Sequence, residues 1–186
     1  MRIVAGTWRG RKLAAPEGRD VRPTSDRTRE AIFNKLAHGW DADDFTLHGA
    51  RVLDAFAGTG ALGLEALSRG GAHVTFMDAS PDSLQVLHAN VEALAAQRQV
   101  SIVRGDATRP PPAPEACRLV LMDPPYASGL ETPALTALAA QGWIAPGAVV
   151  VVEMPAGRDM VVPAGFTAVD TRTYGRAQVS FLRYLP

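Results

Sequence analysis

The chain has 186 residues, of which 47% are hydrophobic and 20% are charged, which suits one globular domain and is too short for two full ones. Its charges cancel overall but not locally, because residues 1–35 hold nine basic and four acidic residues while the remainder holds ten and fifteen. This asymmetry favours a basic arm that contacts phosphates, although an ordinary solvated N-terminus would have the same pattern.

Cysteine content and hydropathy exclude several classes of protein. The single cysteine, Cys117, cannot form an internal disulfide and, beside an apolar run, is expected to be a small buried side chain. No Cys or His spacing typical of a zinc site occurs, so no metal is expected. No run approaches the roughly 18 apolar residues of a membrane span and no apolar leader is visible, so we expect a cytoplasmic protein.

The first 40 residues are predicted to form a small extension. Alternating polarity around a turn predicts a hairpin of two short strands, and Ala31, Ile32 and Leu36 fall at helical spacing. The predicted elements are strands at 2–5 and 11–14 and a helix at 27–36 that begins at a Thr24 or Ser25 cap. Residues 39–49 are interpreted as a linker, which gives an extension at 1–40 and a main domain at 50–186.

Beyond the linker, strands and helices alternate along the chain. Short, almost continuously apolar strands separated by helices are typical of a parallel sheet covered on both faces. The last two strands alternate in polarity around Gly175-Arg176, which indicates an antiparallel hairpin. The predicted strands are 51–55, 73–78, 100–104, 119–122, 149–153, 166–174 and 178–184, and the predicted helices are 61–69, 81–95 and 134–141. The predicted fold class is α/β, a doubly wound, seven-stranded, mostly parallel sheet with a C-terminal antiparallel hairpin.

A glycine-rich loop joins the first strand of the main domain to its helix. Gly58, Gly60 and Gly63 fit the G-x-G-x-x-G spacing that lets backbone approach a ligand closely, and Thr59 lies within it. That spacing alone also fits a nicotinamide dinucleotide. Asp54, however, ends the strand just before the loop, where a fixed negative charge repels a diphosphate but suits the ammonium group of a methionine moiety. The loop therefore favours S-adenosylmethionine over NAD.

Two further acidic residues follow the next two strands. Asp78 can accept both ribose hydroxyls, which the two cofactors share, and Asp106, with its neighbour Ala107, can take the adenine amino group. Each acid alone could equally be a loop or cap residue. Because the carboxyl ends of parallel strands form one crevice, where such sheets bind ligands, the acids together predict an S-adenosylmethionine site.

The fourth strand is followed by Asp123-Pro124-Pro125-Tyr126. An exocyclic amino nitrogen of a base is a poor nucleophile because its lone pair is delocalised into the ring. The Asp123 carboxylate and the Pro124 carbonyl can bind its hydrogens and aim that lone pair, while the prolines fix the backbone. Tyr126 offers a ring on which the base can stack. Two prolines can also simply end a strand, but beside this loop the tetrapeptide indicates amino methylation.

At these residues the chain resembles a known family, the bacterial 16S rRNA guanine-N2 methyltransferases of the RsmD type, along nearly its whole length. The loop and D-P-P-Y are shared by many amino-methyltransferases, whereas the stretch from Arg22 to Asn34 is more particular. The segments that carry the resemblance are Arg2-Ile3-Val4-Ala5-Gly6, Arg9-Gly10, Arg22-Pro23-Thr24, Asp26-Arg27-Thr28-Arg29-Glu30-Ala31-Ile32-Phe33-Asn34, the glycine loop, D-P-P-Y and Tyr174-Gly175.

The resemblance implies a Rossmann-like class I methyltransferase fold and transfer of a methyl group from S-adenosylmethionine to the N2 amino group of a guanine. The implied substrate is 16S rRNA in an assembled or assembling small ribosomal subunit. Thr24, Arg27 and Arg29 are implied to belong to a segment that closes over the methionine end, as candidates for its carboxylate. A helix cap is the alternative role for Thr24. The chain departs from the family at Met77-Asp78, where a hydrophobic residue followed by Glu is more usual.

Other functions stay open on the sequence alone. The nearest is an adenine-N6 methyltransferase on DNA or RNA, because D-P-P-Y fits that amino group equally well; the chain has no room for a separate DNA target-recognition domain. Glutamine methylation usually goes with Asn at the position of Asp123. A non-catalytic, cofactor-sensing RNA-binding module would need neither the carboxylate nor the aromatic ring of the tetrapeptide.

Overall fold

The computed structural model describes residues 1–15, 25–41, 43–125 and 129–186. Four α-helices and seven strands lie in this part of the chain, with a short 3₁₀ turn at Gln97–Gln99. The helices are α1 (Asp26–His38), α2 (Ala61–Ser68), α3 (Pro81–Ala93) and α4 (Glu131–Ala140). The strands are β1 (Arg51–Ala55), β2 (His73–Asp78), β3 (Val100–Arg104), β4 (Cys117–Met122), β5 (Ile144–Pro155), β6 (Phe166–Tyr174) and β7 (Ala177–Tyr184).

The strands form one sheet in the order β3-β2-β1-β4-β5-β7-β6. The strands β1 to β5 pair in parallel, whereas β7 runs antiparallel to both β5 and β6. The predicted α/β class, the seven mostly parallel strands and the C-terminal hairpin are therefore confirmed. The chain order reverses between β1 and β4, and the crevice at the carboxyl ends of such strands is where open α/β sheets bind ligands.

Alternate residues of the central strands supply two hydrophobic clusters, because successive side chains of a strand point to opposite faces of the sheet. Val52 and Phe76 belong to one cluster, and Leu53 and Met77 belong to the other. Cys117 is buried and free, as expected from its apolar context. None of the described helices is long and apolar enough to cross a membrane.

Most predicted strand bounds are confirmed, and the differences have local causes. β5 begins at Ile144, well before its predicted start, although Pro146 and Gly147 are residues that usually interrupt a strand. The register with β4 shifts here, from Cys117 opposite Ile144 to Leu119 opposite Val149, so the additional residues of β5 bulge out of the pairing. α4 begins earlier than predicted, at Glu131, because Pro133 lies in its first turn, where a helix tolerates proline.

The predicted N-terminal hairpin is present, but its two segments do not form regular strands. Residues 1–15, here called the N-terminal arm, fold back on themselves with a single antiparallel bridge between Arg2 and Lys12. The backbone N–H groups of Val4 and Ala5 donate instead to the two carboxylate oxygens of Glu65 in α2, at 2.8 and 3.0 Å. Because these groups bond to a helix side chain, the pairing does not extend into a ladder.

The helix α1 and the N-terminal arm join the core on the side of α2. The side-chain oxygen of Ser25 accepts the N–H of Thr28 at 3.0 Å, so Ser25 is the predicted helix cap. Ile32 and Phe33 of α1 and Ile3 of the arm are buried in the same cluster as the central strands. The division into an extension and a main domain stays a prediction, since the two share one core.

Candidate active site

Three carboxylates meet at the carboxyl ends of the central strands. Asp54 lies in β1, Asp78 ends β2 and Asp123 directly follows β4. Burial raises the pKa of Asp54 well above its usual value, a hydrogen bond from the Gly63 N–H lowers it, and the charges of Asp123 and Asp78 raise it further. Charges that influence one another in this way share one site, so we call these three residues the acidic cluster.

The electrostatics of the acidic cluster favour a positively charged ligand. Asp54 is only 1% exposed, and its charge is disfavoured both by burial and by the two neighbouring carboxylates. A cation beside it would stabilise the charged form, whereas the phosphates of a dinucleotide would be repelled. The cluster therefore fits the ammonium or sulfonium group of S-adenosylmethionine better than NAD.

The glycine loop, residues 56–63, is held in place by the acidic cluster. The N–H of Gly58 donates to Asp78 Oδ2 at 2.8 Å, and the N–H of Gly63 donates to Asp54 Oδ2 at 2.8 Å. The loop begins at Phe56, whose φ of 63° lies in the left-handed region that bulky residues rarely adopt. Such strain is typical of functional sites, where the surrounding structure over-determines the conformation.

Two glycines of the loop, Gly63 and Gly58, have different surroundings. A Cβ at Gly63 would lie 2.4 Å from Cε1 of Phe76, so the close packing of α2 on β2 requires glycine there. Gly58 has a φ of 54°, and a Cβ on it would meet no atom of the described residues within 4 Å apart from its two chain neighbours. The space beside Gly58 is therefore open to a ligand. The loop has the strand–turn–helix context that G-x-G-x-x-G predicts.

Asp78 stands between the loop and the start of α3. Its Oδ2 accepts the N–H of Gly58 and its Oδ1 accepts the N–H of Ser80, both at 2.8 Å. These bonds orient the carboxylate, and each oxygen of an ionised carboxylate has a second lone pair for a further donor. Asp78 can therefore accept the hydroxyls of a ribose without losing its backbone contacts.

Asp106 follows β3 at the same edge of the sheet, and its carboxylate bonds to its own turn. Oδ1 accepts the hydroxyl of Thr108 at 2.7 Å and its N–H at 2.8 Å, and Oδ2 pairs with Arg109 at 3.1 Å. The bonds from Thr108, with a smaller effect of Arg109, lower the pKa of Asp106. Asp106 thus shapes the turn in which Ala107 is buried, and its contact with an adenine amino group stays a prediction.

The two candidate arginines of the stretch from Arg22 to Asn34 lie in different environments. Arg27 is exposed. Arg29 is fully buried, and its Nη2 donates to the carbonyl of Arg2 at 2.5 Å and to Asp26 Oδ1 at 2.6 Å. Arg29 therefore ties α1 to the N-terminal arm. Thr24 lies outside the described residues, and the contacts of all three candidates with a cofactor carboxylate stay predictions.

The tetrapeptide begins directly after β4, as the sequence predicts. Asp123 is half-buried, Pro124 is buried and Pro125 is exposed. Tyr126 lies outside the described residues, so its stacking role stays a prediction. The described part of the motif places the Asp123 carboxylate near Asp54, where the strand order reverses.

Sequence reasoning missed two residues of the loop environment, Phe56 and Asn90. Asn90 of α3 is 1% exposed, and its Nδ2 donates to the carbonyl of Thr59 at 2.9 Å. Its position on the apolar face of α3, beside the buried Leu87 and Val91, was the available signal. For Phe56 no signal existed, because an aromatic side chain argues against a left-handed backbone.

Known proteins resemble this chain along nearly its whole length. The family model described as conserved hypothetical protein 95 matches residues 1–183. The chain is 35% identical over 185 residues to the ribosomal RNA small subunit methyltransferase D of Escherichia coli strain K12, covering 99% of this chain and 89% of that protein. It is 32% identical over 179 residues to the Haemophilus influenzae protein of the same name, covering 94% of this chain and 89% of that protein.

The fold is also found among solved structures. The yhhF protein of Escherichia coli superposes with a TM-score of 0.83 at 34% identity, covering 100% of this chain and 98% of that chain. This likeness confirms the Rossmann-like class I methyltransferase fold.

Proposed function

Since the chain belongs to the RsmD family, the family described as conserved hypothetical protein 95, we propose that it transfers a methyl group from S-adenosylmethionine to the N2 amino group of a guanine in 16S rRNA. The observation that carries the proposal is the acidic cluster beside an open glycine loop, with Asp123-Pro124 immediately after β4. Relatives named ribosomal RNA small subunit methyltransferase D support small-subunit rRNA as the substrate.

The cofactor side of the site follows from the carboxylates and the loop. S-adenosylmethionine supplies a methyl group already activated on its sulfonium, so alignment is most of the work. Asp54 would compensate the ammonium charge, and Asp78 would accept the ribose hydroxyls beside the open space at Gly58. The remaining proposed contacts are Thr59 and Gly60 along the loop, Asp106 and Ala107 at the adenine, and Thr24, Arg27 or Arg29 at the carboxylate.

The base side of the site is proposed at the tetrapeptide. The Asp123 carboxylate and the Pro124 carbonyl would accept the two hydrogens of the amino group, which favours a pyramidal nitrogen with its lone pair free to attack. The nitrogen gains a methyl group and loses a proton, for which Asp123 is the nearest proposed acceptor. Tyr126 would hold the base by stacking. Because the acidic cluster repels phosphate, only the uncharged base is expected to enter.

The N-terminal arm supplies candidate phosphate contacts away from the target base. Arg9 and Lys12 are exposed, whereas Arg11 Nη2 donates to the carbonyl of Ala93 at 2.6 Å. The turn of the arm lies against Ser68, the last residue of α2, since the Thr7 N–H donates to its carbonyl at 2.8 Å. The eight residues of α2, about 12 Å long, separate this turn from Gly60 of the glycine loop. The turn of the arm would therefore bind RNA that flanks the modified guanine.

The proposal is tested by single-turnover methyl transfer from labelled S-adenosylmethionine to small subunits that lack the modification. Asp123→Ala should reduce the rate on the order of 100-fold or more while the affinity for S-adenosylhomocysteine changes little, because Asp123 acts mainly in the transition state. Asp123→Asn should be milder, since an amide oxygen still accepts one hydrogen. Asp159→Ala, which removes an exposed carboxylate from the segment after β5, is the matched control and should keep the normal rate.

Two results would count against this mechanism. Near-normal rates for Asp123→Ala would mean that the tetrapeptide only ends the strand. Label recovered in methyladenosine rather than methylguanosine would replace the guanine-N2 assignment by adenine-N6.

A further inference from the structure

A buried asparagine connects the glycine loop to the N-terminal arm. Asn90 Oδ1 accepts the N–H of Ala14 at 2.7 Å, and Nδ2 donates to the carbonyls of Ala14 at 3.2 Å and Thr59 at 2.9 Å. Both amide hydrogens and the oxygen are therefore used. A flipped amide would set its NH₂ group against the Ala14 N–H, so the hydrogen bonds fix a single orientation.

We infer that Asn90 is a positioning residue for the cofactor: its side-chain amide sets the Thr59–Gly60 peptide of the glycine loop and makes that setting depend on the N-terminal arm. The inference rests on the proposed function, because it assumes that the loop binds S-adenosylmethionine. Asn90 itself acts through the loop backbone.

The peptide that Asn90 holds is the turning point of the loop. A peptide group is planar, so fixing the Thr59 carbonyl also fixes the Gly60 N–H at the other end of the same plane. That N–H donates to the carbonyl of Ala57 at 2.8 Å, and the carbonyl of Gly60 accepts the first helical bond of α2, from Leu64, at 2.9 Å. Two contacts thus fix the backbone around Gly58, which faces the open space. Asp78 holds its N–H, and Asn90 holds the carbonyl of Thr59, the next residue along the chain.

The same amide binds the end of the N-terminal arm at two points. Ala14 is held through both its N–H and its carbonyl, so a shift of the arm here must move the Asn90 side chain. Because that side chain also holds Thr59, arm and loop share one rigid group. Loss of the amide should loosen the loop where the cofactor binds, and this effect differs from a general loss of stability.

A second anchor of the arm provides the matched control. Ser68 Oγ accepts the N–H of Trp8 at 3.0 Å and donates to the carbonyl of Ala5 at 2.6 Å. Like Asn90, it is buried and bonds to the backbone of the arm, but it lies at the far end of α2 from the loop. Ser68→Ala therefore weakens the attachment of the arm without removing a bond to the loop.

The experiment measures S-adenosylhomocysteine binding by calorimetry, and thermal unfolding, for the wild-type chain and for Asn90→Ala, Asn90→Asp and Ser68→Ala. Asn90→Asp keeps the shape and the acceptor for the Ala14 N–H but cannot donate to the carbonyls of Thr59 and Ala14, and it serves if Asn90→Ala does not fold. Both Asn90 variants should bind the product about 5- to 10-fold more weakly, which is the loss of one net hydrogen bond. Ser68→Ala should bind within about 2-fold of wild type at a similar loss of thermal stability.

Kinetics separate positioning from catalysis. For the Asn90 variants the concentration of S-adenosylmethionine at half-maximal rate should rise in parallel with the loss of S-adenosylhomocysteine affinity. The single-turnover rate at saturating cofactor should stay within a few-fold of the wild-type rate. Unchanged product affinity in folded Asn90→Asp, or an equal loss in Ser68→Ala, would overturn the inference. A wild-type chain that does not bind S-adenosylhomocysteine would instead overturn the proposed function, and this inference with it.

Discussion

Replacing Asp54 by Asn should stabilise the free protein and weaken cofactor binding. The Asp54 carboxylate is 1% exposed and accepts the N–H of Gly63 at 2.8 Å, a bond that an amide oxygen can also accept. The substitution removes a charge that burial disfavours and that Asp123 and Asp78 repel. The charge is therefore disfavoured in the free protein, and a cofactor ammonium group beside Asp54, as proposed above, would favour it in the complex.

The pH dependence gives this expectation a sign. The raised pKa of Asp54 means that the folded protein keeps a proton which the unfolded chain loses above about pH 3.8. Stability therefore falls as the pH rises from there through the raised pKa of the folded state. Asp54→Asn has no such loss, so its advantage should be largest at neutral and alkaline pH.

The size of the effect follows from typical stabilising substitutions. Removing an unfavourable buried charge while keeping its hydrogen bond should gain about 1 kcal/mol. For a chain of 186 residues this raises the melting temperature by about 2–4 °C. The lost charge-assisted contact should weaken binding of the cofactor by about 1.5–3 kcal/mol, or at least 10-fold.

Thermal unfolding between pH 5 and about pH 9, with calorimetry on the same samples, measures both effects. Asp43→Asn, at an exposed position of the linker, is the matched control and should change neither quantity. An Asp54→Asn variant that is less stable than wild type across this range would refute the electrostatic reasoning. Unchanged affinity for S-adenosylmethionine would remove Asp54 from the binding site.

Three further outcomes follow from the structure. Gly63→Ala should lower the free energy of unfolding, measured in urea, by about 1–3 kcal/mol, because the new methyl group would clash with the ring of Phe76. The higher helix propensity of alanine offsets this loss only partly, and unchanged stability would contradict the close packing. Replacing Arg9 and Lys12 by Gln should reduce the slope of log K for RNA binding against log salt concentration by about 1–2, whereas the control Arg98→Gln should leave the slope unchanged. A slope equal to that of the wild type in the double variant would place the RNA-binding surface elsewhere. The thiol of Cys117, whose pKa burial raises to about 12, should react with a thiol reagent at pH 8 only after unfolding, and rapid reaction in the folded protein would contradict its burial.

The α/β sheet could be predicted because its signals are local. The bounds of β1 and β2 match the apolar runs that predict them, since buried parallel strands need continuous hydrophobic residues. The edge strands β3 and β6 also keep their predicted bounds, and β6, which is antiparallel and largely exposed, follows its alternating polarity instead. The bounds of β5 could not be predicted, because Pro146 and Gly147 usually interrupt a strand and here lie in a bulge of β5 where its register with β4 shifts. The N-terminal hairpin stops at a single bridge for a reason that could not be predicted: the N–H groups of Val4 and Ala5 bond to Glu65, which lies 60 residues from Ala5 in the chain.

In the candidate active site, too, some residues could be predicted from the sequence and others could not. Asp54, Asp78 and Asp123 could be brought together from the sequence because each ends or follows a parallel strand, and strand ends meet at one edge. Asn90 could not be assigned a role, because its two partners come from separate segments that only the folded chain brings together. The left-handed backbone of Phe56 is likewise imposed by the surrounding fold.

The central claim is that this chain methylates the N2 amino group of one guanine in 16S rRNA, and nucleoside analysis tests it most directly. Purified 16S rRNA from a wild-type strain, from a strain that lacks the gene and from the same strain carrying wild-type or Asp123→Ala protein would be digested and quantified by mass spectrometry. We predict that the deletion removes one N2-methylguanosine per 16S rRNA, that the wild-type gene restores it and that Asp123→Ala does not. Unchanged N2-methylguanosine in the deletion strain, or loss of a methyladenosine in its place, would contradict the account.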